Sequence, residues 1–274
     1  MSGELIAAMP REQYGSIERV NWSRLKEMAR SPAHYRWALE HPPEDSDAKK
    51  VGRAVHLAIL EPERFASECV VWTGGRRAGK AWDEFCAMHE GKEILTADEA
   101  ERIEEMRRAV LSAPSAAELV SGGRAEVTML WDLEVVAGVV VPCRGRLDYE
   151  KRDALVDLKV TRDASPEAFG RHVWSLRYHA QAAFYVDGYA AITGRTLPFV
   201  FIAIESSAPY VVQTYVMTPE ALRAGRDEYM RLLAQLETCR ITGEWPGYAT
   251  GPLPLTLPRW ATLSIAEEDL HHVE

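Results

Sequence analysis

The sequence has few cysteines and no long apolar run, and each shortage excludes a class of protein. Its cysteines are Cys69, Cys86, Cys143 and Cys239, with no C-x-x-C pair among them, so neither a cysteine-ligated metal site nor a disulfide framework is indicated. A membrane-spanning helix needs about eighteen or more apolar residues in succession, and no such stretch is present. The N-terminal segment MSGELIAAMP lacks the basic start and apolar run of a secretory signal, so we expect a cytoplasmic protein.

An excess of positive charge is also missing. The 274 residues include 32 Lys and Arg against 41 Asp and Glu, for a formal net charge of −9. This balance argues against a general nucleic-acid coat protein, whose affinity comes from a basic surface, but it is compatible with an enzyme that has a local basic channel. The chain is 47% hydrophobic and 27% charged, as in ordinary folded proteins, and it is long enough for one large domain.

A phosphate-binding loop of the helicase type is absent as well. The nearest candidate, TGGRRAGK at residues 73–80, has neither the required spacing nor the following Ser or Thr. We therefore expect no ATP-driven motor within this chain. The glycines and basic residues of this segment instead predict a surface loop.

Periodicity predicts helices first, then strands and helices in turn. Two short helices are expected between residues 21 and 42, and a polar loop at 44–47. The further predicted elements are helices over about 48–60 and 97–112, strands at 125–133, 136–149 and 153–160, a helical region over 166–192, strands at 198–205 and 209–217, and a helix over 219–241. The first two of the three consecutive strands should form an antiparallel hairpin, because the link between them is short.

This order predicts an α/β protein, more closely an α+β mixed sheet flanked by helices, in a single domain over residues 1–274. We expect a helical N-terminal part at 1–120, a core of sheet and helices at 121–242 and a C-terminal coil at 243–274 that wraps the body.

The most informative stretch is RGRLD at residues 144–148, followed by VDLK at 156–159. Asp157 and Lys159 stand among apolar neighbours, where charged groups are rare without a partner. Because alternate residues of a strand share a face, both should point the same way while Leu158 turns into the core. Asp148 should reach the same place from the preceding strand, and two carboxylates beside an ammonium form a site for a hard divalent cation.

Four further polar residues are candidates for the same site. His56 lies on a predicted helix, Glu126 begins a predicted strand, and Gln181 and Tyr185 lie four residues apart on one helix face. Taken singly, each has a structural explanation: a packed or solvated histidine, a solvated edge carboxylate, and the polar tips of one helix face. A structural ion pair likewise explains a D-x-K motif that stands alone.

Together and in this order, these residues resemble the PD-(D/E)xK nuclease superfamily, and more narrowly its RecE-type exonuclease branch from phage and prophage recombination modules, a relative of lambda exonuclease. The resemblance covers about residues 15–260 and implies a restriction-endonuclease-like core with added N-terminal helices. It rests on the motifs SRLK, GRAVH, GRLD, DLKVT, YHAQ and WPGY, which begin at residues 23, 52, 145, 157, 178 and 245. Leu147 stands where the superfamily name has proline and Asp157 where it has the commoner glutamate, and the branch tolerates both.

The resemblance implies a deoxyribonuclease that hydrolyses phosphodiester bonds with one or two Mg²⁺ or Mn²⁺ ions. It implies that Asp148, Asp157 and the carbonyl group of Leu158 hold the principal metal. His56 and Glu126 would complete the metal shell or bind a second ion.

The resemblance also implies roles for three residues beside the metal. Lys159 would position the nucleophile and offset charge on the phosphate. Gln181 and Tyr185 would bond the scissile phosphate or orient Lys159.

Contacts with DNA are expected from basic residues that flank the proposed site, namely Lys49, Lys50, Arg53, Arg144 and Arg146. By resemblance alone, the enzyme acts in the 5′ to 3′ direction on double-stranded ends, leaves a 3′ single strand for a strand-annealing protein and forms a homo-oligomeric ring, with no role for a membrane. The alternatives are an endonuclease or single-strand nuclease on the same core, a catalytically inactive DNA-binding module, and an unrelated α/β protein with accidental motifs.

Overall fold

A computed structural model describes residues 3–41 and 46–256. Residues 44 and 45 of the predicted loop at 44–47 and the predicted coil beyond residue 256 lie outside the described residues, whereas Ser46 caps the helix that begins at Asp47. The strands are Glu4–Ile6 (β1), Cys69–Trp72 (β2), Glu93–Thr96 (β3), Arg124–Val136 (β4), Val139–Glu150 (β5), Leu155–Thr161 (β6), Phe199–Glu205 (β7) and Val212–Val216 (β8).

Helices surround these strands. The α-helices are Arg11–Ser16 (α1), Trp22–Leu25 (α2), Pro32–Glu40 (α3), Asp47–Leu60 (α4), Pro62–Glu68 (α5), Lys80–Met88 (α6), Ala97–Ser112 (α7), Pro114–Leu119 (α8), Pro166–Ser175 (α9), Tyr178–Thr193 (α10) and Pro219–Thr242 (α11). Within the described ranges, no helix is both long enough and apolar enough to cross a bilayer.

The main sheet has six strands in the order β1-β4-β5-β6-β7-β8. β6 and β7 are parallel, and the other neighbouring strands are antiparallel. This arrangement confirms the predicted mixed sheet flanked by helices, and β4 and β5 form the predicted hairpin. β2 and β3 form a separate parallel pair.

Three predicted elements differ from the structure. The helical region at 166–192 is divided into α9 and α10, because Arg177 between them adopts a left-handed conformation with φ of 60°. The strand predicted from residue 209 begins at Val212, after a turn in which Tyr210 has φ of 56°. The part predicted to be helical also contains β1, β2 and β3, which are only three or four residues long and give little periodic signal.

The sheet separates two hydrophobic cores. The α10 core lies on the face covered by α10 and α11, and includes Val127, Leu147, Phe184, Phe201 and Leu232. The α4 core lies on the opposite face, beneath α4 and α7, and includes Val55, Ile103, Tyr149, Leu158 and Ile202. Burial of these side chains is the main force that fixes the helices on the sheet.

The start of the C-terminal coil packs against the N-terminal helices. The Trp245 ring stacks on Tyr35 of α3 at 6.0 Å, and the Ala33 N–H donates to the Pro246 carbonyl at 3.1 Å. These contacts hold Trp245 and Pro246 against α3, whereas Leu253 and Leu255 further along the coil are exposed.

Candidate active site

The candidate site lies where two neighbouring strands separate. β5 and β6 pair only at Tyr149 with Val156 and at Glu150 with Leu155. Beyond this short ladder, the side chain of Asp148 replaces the backbone partner, since its Oδ2 accepts a hydrogen bond of 2.9 Å from the N–H of residue 158. The gap places groups from both faces of the sheet near each other.

Asp157 and Lys159 form a buried ion pair on the α10 side of β6. Asp157 Oδ2 lies 2.5 Å from Lys159 Nζ, and only 2% of the Asp157 side chain is exposed. Leu158, between them, packs in the α4 core. The structure thus confirms the predicted alternation, with the two charged residues on one face and the leucine on the other.

Lys159 is held as a cation. Its Nζ lies 4.6 Å from the centre of the Tyr178 ring and 5.9 Å from that of Phe201, in cation–π contacts. Burial acts against the ammonium, but the nearby carboxylates of Asp157 and Asp148 outweigh it and raise the pKa of Lys159. Lys159 also lines a cavity of about 280 Å³.

Asp148 belongs to a second set of polar groups on the α4 side. One ligand atom from each of His56, Glu126 and Asp148 lies within 4.8 Å of the other two. His56 Nδ1 is 3.5 Å from Asp148 Oδ2. The carboxylate and imidazole donors are types that bind divalent metals, and their spacing fits one ion.

Glu126 interrupts the regular alternation of β4. Its φ of 51° is left-handed, which is uncommon for a residue other than glycine. On one side of it, Val127 and its partner Leu147 pack in the α10 core, whereas on the other side Ala125 and Tyr149 pack in or against the α4 core. The strands therefore change faces here, and strained backbone of this kind is found preferentially at functional sites.

Burial and the Asp148 carboxylate raise the pKa values of two acids at the site, Glu126 and Asp157. Burial, together with the neighbouring Asp148 carboxylate, raises the pKa of Glu126 to about 7. Burial and the same carboxylate also raise the pKa of Asp157. The site thus holds more acid than its cations neutralise, which a divalent ion would correct.

The structure separates the predicted metal ligands into two linked groups. Asp157 lies outside the close triad of His56, Glu126 and Asp148, and is engaged by Lys159. Asp148 connects the groups through its bond to the backbone at residue 158.

Gln181 and Tyr185 lie beside Asp157. Gln181 Nε2 donates to Asp157 Oδ1 at 3.2 Å, so it orients the acid and not the lysine. Tyr185 is buried, and a Cβ added at Gly145 would lie 2.9 Å from its Cε1 atom. This close contact explains the glycine of the GRLD motif. It also places the Tyr185 ring mostly within the α10 core.

The expected DNA contacts Arg144 and Arg146 are covered by the N-terminal segment. Their guanidinium carbons lie 4.6 and 4.3 Å from the centre of the Tyr14 ring. Only 2% of Arg144 is exposed, in contrast to the expected role at the DNA surface. Arg146 pairs with Glu126 at 3.4 Å and donates to the Met9 carbonyl at 3.0 Å.

The remaining expected DNA contacts lie on α4. Arg53 pairs with Glu93 at 2.9 Å, and Lys50 is half-buried whereas Lys49 is exposed. Arg53 also lines a cavity of about 340 Å³ that opens beside the metal-binding candidates His56 and Glu126. Other residues that line this cavity are Arg11, Gly52, Arg64 and Arg146.

Sequence reasoning missed the residues that reach the site through tertiary contacts. Tyr14 carries no local signal, since its position over two arginines depends on how the N-terminal segment crosses β5. Tyr178 does carry a signal, because it begins the YHAQ motif, but its contact with Lys159 required the packing of α10 against β6.

Comparison with known proteins identifies a family for the sequence and a relative of the fold. The sequence matches the family described as a PDDEXK-like domain of unknown function (DUF3799) over residues 21–251. The fold is similar to that of a candidate exonuclease from Eubacterium rectale, with a TM-score of 0.64 and 16% identity over 97% of this chain and 99% of that chain. A weaker likeness is to the structure of SSO0001, with 12% identity and a TM-score of 0.35 over 87% of this chain and 93% of that chain.

The comparison with curated proteins gave no match. At 16% identity, the likeness to the candidate exonuclease shows the fold alone. The family model, by contrast, covers most of the sequence and includes every predicted site residue. The chain therefore belongs to the family of the PDDEXK-like domain of unknown function, within the PD-(D/E)xK nuclease superfamily.

Proposed function

We propose that this protein is a divalent-metal-dependent deoxyribonuclease that removes nucleotides from the ends of double-stranded DNA. The observation that carries the proposal is the joining of two groups at the gap between β5 and β6. One is the triad of His56, Glu126 and Asp148, and the other is the buried pair of Asp157 and Lys159. A structural ion pair alone would not require three further acid or imidazole groups beside it.

The donor set supports a metal at this point. Asp148, Glu126 and His56 would hold a divalent ion, with Asp157 and the Leu158 carbonyl on the opposite side of the gap. When bound, such an ion supplies Lewis acidity to a phosphate oxygen and makes a coordinated water more acidic. Mg²⁺ and Mn²⁺ suit the carboxylate oxygens, and Mn²⁺ also accepts an imidazole.

The protein's own side chains account for the remaining steps. Lys159 keeps its proton because of Asp157, and its ammonium would offset the negative charge that develops on the phosphate. Gln181 orients the Asp157 carboxylate. The cavity beside the triad, lined by both basic and acidic side chains, gives a ligand access to His56 and Glu126.

The proposal also covers the direction in which the enzyme degrades DNA and the partners with which it acts. By its resemblance to the RecE-type branch, the enzyme degrades the strand in the 5′ to 3′ direction and leaves a 3′ single strand. A strand-annealing protein would receive that product, and several copies of the chain would encircle the duplex as a ring. The likeness to a candidate exonuclease supports the preference for ends.

The test compares linear and covalently closed circular duplex DNA, each incubated with Mg²⁺, with Mn²⁺ and with EDTA. We expect metal-dependent release of nucleotides from the linear duplex and an intact circle. Duplexes labelled at one 5′ or one 3′ end then report the direction. The matched control is Lys159→Met, which removes the charge but retains a long side chain.

An endonuclease on the same core is the second candidate, because the gap between β5 and β6 does not by itself require a DNA end. Cleavage of the closed circle would support it over the exonuclease. If no DNA is cleaved while DNA is still bound, the protein is instead a catalytically inactive binding module.

A further inference from the structure

Gly52 of α4 lies beside the candidate site and faces open space. Apart from the backbone of α4 itself, a Cβ added at this position would meet no atom of the described residues within 4 Å, so no packing contact among them requires glycine here. Glycine in a helix interior nevertheless costs stability relative to alanine. Among the described residues, no backbone outside α4 comes within 4 Å of a Cβ placed at Gly52.

Two cavities meet at Gly52. The first, of about 340 Å³, contains His56 and Glu126 of the candidate metal site. The second, of about 430 Å³, is lined by Arg102 of α7 and by residues 160–162 at the end of β6. Gly52 lines both cavities, and the two together are here named the groove.

The second cavity carries positive charge that is not used elsewhere. Arg102 and Arg162 are exposed, and neither enters an ion pair with any residue in the ranges the structure covers. Glu99, which also lines this cavity, caps α7 through the Thr96 N–H at 2.7 Å and pairs with Arg77 at 3.0 Å. Its charge is therefore compensated, and the arginines dominate.

We propose that a DNA strand crosses α4 at Gly52, with its phosphates bound by Arg102 and Arg162. Glycine at the crossing lets the phosphodiester backbone approach the helix as closely as its own backbone permits. This inference rests on the proposed nuclease function and assigns its DNA contacts to residues other than the covered Arg144 and Arg146.

The decisive test substitutes glycines in two helices. Gly52→Ala and Gly170→Ala both add a methyl group on a helix where no described residue outside that helix lies within 4 Å. Because alanine favours the helix, each should raise the Tm by about 2 °C. Only Gly52→Ala should weaken DNA binding, by about tenfold, with a larger loss for Gly52→Leu.

Binding is measured by fluorescence anisotropy of a labelled duplex in EDTA, where cleavage is prevented. Arg102→Gln and Arg162→Gln should each reduce the slope of log affinity against log salt by about 0.9. Arg108→Gln, on the same helix but paired with Glu104 and Glu105, is the control and should leave the slope unchanged.

The proposal is overturned if Gly52→Ala binds DNA as tightly as Gly170→Ala does, or if it lowers the Tm, which would show a packing role. It is also overturned if the Gly52 variants alter the oligomeric state and not DNA affinity, because the groove would then hold a second copy of the chain. Failure of the wild-type protein to cleave any DNA overturns the proposed nuclease function separately, while the binding series still decides whether the groove holds DNA.

Discussion

β5 and β6 carry acidic residues at both ends of their pairing, and the partners of these acids differ between the two ends. Glu150 is at the end where β5 and β6 are paired, and it is matched by Arg124 at 2.6 Å and by the Tyr189 hydroxyl at 2.9 Å. Asp148 and Asp157 lie where the same strands separate. The paired end thus neutralises its acid within the protein, whereas the separated end does not.

The separated end has more acid than base. Asp148, Asp157 and Glu126 face the cations Lys159 and Arg146. Burial raises the pKa values of Glu126 and Asp157, and the neighbouring Asp148 carboxylate raises them further. The comparison teaches that burial of a carboxylate is not itself a functional signal, and that an excess of buried carboxylates over their cations is a much better one.

The largest expected effect is that of Asp148→Asn. Nuclease activity should fall by on the order of 10³-fold, because a metal ligand is lost. The Tm of the metal-free protein should stay the same or rise, since asparagine keeps an acceptor for the Leu158 N–H and removes a like charge. Cleavage of end-labelled duplex and thermal unfolding in EDTA measure the two quantities. If the variant loses both nuclease activity and thermal stability, Asp148 is a structural acid like Glu150.

The pH dependence of stability should reveal Glu126. Its folded pKa of about 7 exceeds the ordinary value of 4.5, so between these pH values the folded state retains a proton that the unfolded state has released. Rising pH should therefore lower the free energy of unfolding of the metal-free protein, by about 2–3 kcal/mol for this group. Urea titrations in EDTA across that range, with Glu126→Gln as the control, test this. The prediction is contradicted if the free energy of unfolding depends on pH in the same way in wild type and in Glu126→Gln.

Glu150→Gln should lower stability and leave activity nearly unchanged, the opposite of the effect of Asp148→Asn. The free energy of unfolding should fall by about 1–2 kcal/mol, because the buried end of the Arg124 pair is lost. The loss is limited because about half of the Arg124 side chain is exposed to water. Activity should remain within about twofold of wild type, since the change only removes a matched charge. A loss of activity with unchanged stability would erase the distinction between the two ends.

The smallest expected effect is that of Tyr189→Phe. It removes one hydrogen bond to Glu150 and should lower the free energy of unfolding by about 1 kcal/mol. Urea denaturation at neutral pH measures it. DNA cleavage should be unaffected, and any change in it would mean that the two ends of the strand pair are coupled.

The sequence predicted the elements with strong periodicity and missed those without it. The helix at 97–112 and the hairpin of β4 and β5 were predicted within a few residues, because their patterns are long. The division at Arg177 was missed, since a left-handed residue at that point depends on the packing of both helices. β1 was missed because its three residues are stabilised by pairing with Leu130, Met129 and Thr128 of β4.

The candidate site was predicted in part, because the alternation of a strand is also a periodic pattern. The alternation of a strand placed Asp157 and Lys159 on one face, and the D-x-K spacing is visible in the sequence. The position of Arg144 was not predictable, because it depends on Tyr14, about 130 residues earlier in the chain.

The sequence by itself determined the mixed sheet, the order in which charged residues occur along its strands, and the family to which the chain belongs. Only the tertiary structure decided which acids meet, which arginines are covered and which glycine is left open. The physical reason is that periodicity fixes the face on which a side chain lies, whereas its partners depend on where strands separate and how distant segments pack.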